Sequence, residues 1–126
     1  MVNYLKLPRL LQPSNSKGVI AEKKALNYLL EHGLTLLHQN YYCRFGEVDL
    51  IMADQETLVF IEVRYRKNGQ FGGALASINK TKQRKIIKTA THYLAQLSSE
   101  PYCRFDAIAL NDTDIEPLWI KDAFQV

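Results

Sequence analysis

The residues best suited to do chemistry lie between positions 46 and 66. They read Gly-Glu-Val-Asp-Leu-Ile-Met-Ala, a short polar break at Asp54-Gln55-Glu56, then Thr-Leu-Val-Phe-Ile-Glu-Val-Arg-Tyr-Arg. Both halves are apolar and β-branched, which predicts two strands joined by a tight turn. Acids stand inside these runs. Side chains alternate across a strand, so Glu47 and Asp49 share one side, and Glu62 and Arg64 share another. Val48, Leu50, Val59, Ile61 and Val63 take the alternate positions. Charge opposite an apolar face is ordinarily a solvated sheet face. Here Leu58 and Phe60 share the side of Glu62 and Arg64, so that side is not simply wet. A carboxylate among apolar neighbours needs a counter-charge, because an unpaired buried charge is very costly. Two carboxylates on adjacent strands offer hard oxygen ligands suited to Mg²⁺ or Mn²⁺.

Asp49, twelve intervening residues and Glu62-Val63-Arg64 resemble the D…(D/E)-x-K signature of restriction-endonuclease-like nucleases. A longer ordered set of blocks runs across residues 17–122. It comprises Ala21-Glu22, Asn40-Tyr41-Tyr42, residues 46–51, residues 60–66, a lysine-rich helix and Arg104-Phe105-Asp106. In that order the blocks resemble the YraN family of small bacterial proteins, which are similar to archaeal Holliday-junction resolvases. The resemblance implies a metal-dependent endonuclease site. Asp49 and Glu62 would hold Mg²⁺ or Mn²⁺, with Glu22 and Glu47 as auxiliary ligands. One departure stands out: the nuclease signature has Lys where this chain has Arg64. A guanidinium stays protonated and cannot serve as a base, but its fork of donors can hold a phosphate oxygen or a water. A divalent cation can activate water without a side-chain base. The expectation is that Lys80 or Lys82, from the following helix, lends the missing amine.

At 126 residues the chain is long enough for one domain with one core. Near-half apolar content and no apolar run of membrane-spanning length point to a soluble protein. Residues 1–11 are leucine-rich but broken by Pro8 and Arg9, and they lack a signal-peptide pattern. A cytoplasmic location without a membrane partner is therefore expected. The cysteines, Cys43 and Cys103, are far apart and lack metal-ligand spacing. Each lies in a Tyr-Cys-Arg-Phe tetrapeptide, which reads either as paired strand positions or, preferably, as chance. The net charge is +3, yet residues 64–88 hold eight basic residues and no acid, half of all Lys and Arg. Such a stripe is either a solvated helix face or a polyanion-binding surface. On the second reading Arg66, Lys67, Lys80, Lys82, Arg84 and Lys85 contact the nucleic-acid backbone.

The elements needed to position these groups follow from periodicity. Residues 1–16, with Pro8, Pro13 and Ser14-Asn15-Ser16, read as a loose arm, and residues 17–126 as a single nuclease-like domain. Residues 17–32 have helical spacing, with Ser16 as a candidate cap and Gly33 as the stop. Glu22 borders the buried stripe of that helix. Strands are predicted at 35–42, across the two central runs, at 102–110 and at 115–120. Residues 67–73 read as a three-glycine loop, equally a flexible surface loop or one able to approach a phosphate, and residues 77–97 as a second long helix. Its core stripe is Ile78, Ile86, Ala90, Tyr93, Leu94 and Leu97. The cations at its start oppose the helix dipole, a placement that an anion nearby would offset. The expected fold is α/β, with a restriction-endonuclease-like core. An antiparallel meander and a right-handed β-α-β crossover form a mixed sheet of about five strands. The expected function is a DNA endonuclease acting on branched substrates in repair or recombination, with a homodimer matching a two-fold junction. Its rivals are an inactive nucleic-acid-binding module, which Arg64 favours, and a protein-interaction domain.

Overall fold

The computed structural model describes residues 17–67, 71–112 and 116–126; the arm expected at 1–16 lies outside them. In chain order the elements are α1 (Lys17–Glu31), β1 (Thr35–Cys43), β2 (Gly46–Asp54), β3 (Thr57–Arg66), α2 (Phe71–Ala76), α3 (Lys80–Leu94), β4 (Tyr102–Asn111) and β5 (Leu118–Phe124). The strands form one sheet in sequence order, β1-β2-β3-β4-β5. All neighbours are antiparallel except β3 and β4, which run parallel across the α2–α3 crossover. This is the mixed α/β arrangement expected from the sequence.

Each face of the sheet is closed by a helix. Ala21, Ala25 and Leu29 recur at helical spacing on α1 and pack on Leu50, Met52, Val59, Ile61, Val63, Ile108 and Leu110. Ile86 and Ala90 of α3 pack on the other face, against Val48, Ile51, Leu58, Phe60, Phe105 and Ala107. Burying each large aliphatic side chain contributes about 1.5–3 kcal/mol, so the two apolar clusters fix both helices. Helix α1 stops at Gly33, whose φ of +95° suits glycine, and Leu34 N–H donates to Leu29 O as the chain turns back.

Several boundaries differ from the sequence reading. The second long helix begins at Lys80, because Asn79 caps it: the Asn79 side chain accepts from Lys82 N–H at 2.9 Å. Ile78 is buried ahead of the helix, and Leu97, expected in the core, lies beyond it and is exposed. Part of the expected glycine loop is the six-residue helix α2, while residues 68–70 lie outside the described residues. The last strand starts at Leu118 and runs on to Phe124; Ile115, where it was expected to begin, is not among the described residues. The two Tyr-Cys-Arg-Phe copies are not neighbours. Cys43 pairs with Gly46 on an edge strand, whereas Cys103 pairs with Leu58, with β2 and β3 between their strands.

The strict two-residue alternation also fails beside the acids. Val48 joins the α3 cluster whereas Leu50 joins the α1 cluster. Pairs Gln39–Leu50 and Tyr41–Val48 flank Asn40, which has a φ of +52°. A left-handed residue in a strand bends it and re-aims the side chains around it.

Candidate metal and nucleic-acid site

The acids meet where the sheet forks. Strands β2 and β3 pair from Asp54–Thr57 only as far as Leu50–Ile61. Beyond that point β2 stays with β1 down to Cys43–Gly46, while β3 stays with β4 up to Arg66–Asn111. Asp49 stands at the crotch. Its side chain replaces the missing ladder bond: Oδ2 accepts from Val63 N–H at 2.8 Å. Asp49 and Glu62 lie one step beyond the last backbone pair, and their carboxyl groups are neighbours.

Glu22 reaches the same place from α1, and Glu47 from β2. Oxygens of Glu22, Glu47 and Asp49 all lie within 4.8 Å of one another. Glu22 is buried, and its Oε1 accepts from Asn40 Nδ2 at 2.5 Å. The left-handed turn at Asn40 thus both bends β1 and secures the carboxylate. Asn40 is a residue of this cluster that periodicity alone did not single out.

Glu62 is 4 % exposed, and its Oε2 lies 3.3 Å from Arg64 Nη2 and 3.3 Å from Lys82 Nζ. Its carboxyl pKa is pushed up from 4.5 to about 8, by burial first and by the Asp49 charge next; Lys82 and Arg64 pull it down but are outweighed. Desolvation and like-charge repulsion together exceed the attraction of two cations. Clustered carboxylate oxygens, three of them within 4.8 Å of one another, are the donor set that Mg²⁺ and Mn²⁺ take. The residues present therefore fit such an ion.

Of the basic residues named from the sequence, Arg66, Lys67, Lys80, Arg84 and Lys85 are exposed. Lys82 instead turns inward to Glu62. Thr89 and Lys85 side-chain atoms lie close to where a Cβ would stand on Gly46, whose φ is +144°, so the β1–β2 turn packs against the basic helix. Among the described residues, no helix is long and apolar enough to cross a membrane.

Comparison with known proteins places these residues in a family. The model of the uncharacterised protein family UPF0102 matches residues 21–110, a span that includes all four acids, Arg64 and Lys82. A UPF0102 protein of Psychromonas ingrahamii is 71% identical over 121 residues, covering 96% of this chain and 99% of that one. Another, from Nitrosospira multiformis, is 54% identical over 113 residues, 87% of this chain and 93% of its own. A third, from Legionella pneumophila strain Corby, is 49% identical over 113 residues, 88% and 96% of the two chains. The ordered blocks that resembled YraN and the length of these matches agree: the chain belongs to the UPF0102 family.

Proposed function

We propose that the protein is a Mg²⁺- or Mn²⁺-dependent DNA endonuclease, most similar in its site to structure-selective junction resolvases. The observation that carries this reading is the convergence of Glu22, Glu47 and Asp49 oxygens within 4.8 Å, beside Glu62 and its two cations, at the fork of the sheet. When bound, the cation would lower the pKa of water and offset charge building on the phosphate. Asp49 and Glu62 would hold the cation, with Glu22 and Glu47 as further oxygen ligands. Asn40 and the Val63 amide fix two of those carboxylates, so little reorganisation is needed on binding. Arg64 presents its guanidinium to the scissile phosphate. Its Nε is buried with no hydrogen-bond partner among the described residues, a donor still to be satisfied. Arg66, Lys67, Lys80, Arg84 and Lys85 hold flanking phosphates, which gives recognition by shape rather than by sequence. Water adds to phosphorus as the bond to the leaving oxygen breaks; one water proton ends on that oxygen through solvent. A branched, two-fold substrate would match a homodimer.

The second reading is a nucleic-acid-binding module without turnover. Arg64 favours it, since a guanidinium cannot relay a proton. Branched, duplex and single-stranded DNA incubated with the protein in Mn²⁺, beside Asp49→Asn and Glu62→Ala, separates the two. Cutting by the wild type that both variants lose supports the nuclease. Binding without cutting supports the module, and cutting that survives both substitutions refutes the site.

A further inference from the structure

Two cations converge on one oxygen of Glu62, and they come from different elements. Arg64 belongs to β3, two residues along the same strand. Lys82 reaches in from α3, the helix whose Ile86 packs in the same cluster as Phe60. Lys82 is also the third residue of its helix, where a cation opposes the macrodipole. The Asn79 cap on Lys82 N–H fixes the entry of α3 and therefore the point from which this side chain reaches. Exposed lysines gain little from such a position. This one lies against a carboxylate that is 4 % exposed while itself remaining 37 % exposed. An ammonium has three donors. The contact with Glu62 uses one, which leaves two for other acceptors.

The two cations differ in what they can do. Arg64 presents a rigid planar fork that matches two phosphate oxygens. Lys82 presents a compact charge whose donors rotate, which suits a single water oxygen. Resting on the nuclease reading above, we propose that Lys82 is the residue that orients the attacking water, leaving Arg64 to hold the phosphate. It acts as an ammonium throughout and neither gains nor loses a proton. It donates one hydrogen bond to Glu62 and one to the water. That water's oxygen forms the new bond to phosphorus. The active site is thus completed by a lysine from the helix that also brings the basic surface to the DNA, so the cation that aims the water and the contacts that bind the backbone move as one body.

The experiment is single-turnover cleavage of a branched DNA at saturating protein, in Mg²⁺ and in Mn²⁺. It compares wild type, Lys82→Ala, Lys82→Met, Arg64→Ala and the remote charge control Lys121→Ala. DNA affinity and thermal unfolding are measured for each. Lys82→Ala should slow cleavage by about 100-fold, the usual cost of losing one positioned donor. Its DNA affinity should fall by no more than about tenfold, as for one charge contact. Added ethylammonium should restore a substantial part of the rate to Lys82→Ala, and none to Lys82→Met, whose side chain fills the space. Arg64→Ala should weaken DNA binding as well as cleavage. Undiminished cleavage by Lys82→Ala overturns the assignment, as does a loss that tracks DNA affinity and is not rescued by the amine. Both of those outcomes leave the nuclease reading standing. Absence of cleavage by the wild type with every DNA and both ions removes the nuclease reading and this inference with it.

Discussion

Replacing Glu62 by Gln should flatten how the metal-free protein responds to pH. Glu62 is buried, and its pKa rises from 4.5 to about 8, chiefly through burial and then through the Asp49 charge. A folded carboxyl that holds its proton more tightly than the unfolded one contributes stability that is fully present below the unfolded pKa. That contribution is lost as pH climbs through the folded pKa. The window here runs from 4.5 to about 8. Within it the unfolded chain has released a proton that the folded chain keeps, so unfolding becomes easier by at most about 1.4 kcal/mol per pH unit. For a domain of this size that limiting slope corresponds to a fall in Tm of about 5 °C per pH unit. Glu62→Gln keeps the shape and cannot ionise, so its Tm should be much flatter across the window, and it should overtake the wild type toward pH 8. Mn²⁺ should stabilise the wild type more at the alkaline end than at the acid end, because the ion displaces the proton. A hundredfold excess over Kd is worth about 2.7 kcal/mol. The assay is calorimetric melting with chelator and with Mn²⁺, at several pH values between about 5 and 8. A wild-type Tm that stays level or rises with pH in chelator, or a Glu62→Gln melt with the same slope as wild type, refutes the account of a strained, neutralised carboxyl.

Two further outcomes follow from the geometry. Asp106 is fully buried and accepts from Arg104 Nε and Nη2, Trp119 Nε1 and Asp122 N–H, tying β4 to β5. Asp106→Ala leaves Arg104 with Asp54 alone and should cost roughly 3 kcal/mol in denaturant unfolding, the low end for a broken buried pair, since Arg104 is partly exposed. For DNA binding, neutralising Lys80, Arg84 or Lys85 should each reduce the slope of log affinity against log salt by up to about 0.9, whatever the sequence of the DNA. Slopes identical to wild type would mean that α3 does not face the backbone.

Much of the fold was legible because the signals were local and mutually consistent. The short polar break at Asp54-Gln55-Glu56, the Gly33 stop and the apolar run of β3 each named its own element. The crossover after β3 followed from a helix between strands, and the handedness rule then made β4 parallel to β3. Adjacency of Asp49 and Glu62 could be anticipated once those two strands were joined by a tight turn. The fork was not legible, since it depends on β2 and β3 each preferring an outer partner beyond Leu50–Ile61. Neither was the side-switch at Val48, because a left-handed Asn40 leaves no periodic trace in its own strand. The start of α3 was misplaced because Ile78 was counted into its core stripe, whereas Ile78 is buried ahead of the helix and Asn79 caps it.

The bond from Val63 N–H to the Asp49 carboxylate has a consequence beyond catalysis. A main-chain amide in the middle of a sheet ordinarily reports on its neighbouring strand. This one reports on a side chain that would also be an ion ligand. Its chemical shift and its hydrogen exchange are therefore a built-in gauge of how the carboxylate is engaged, readable in the intact protein without any nucleic acid present.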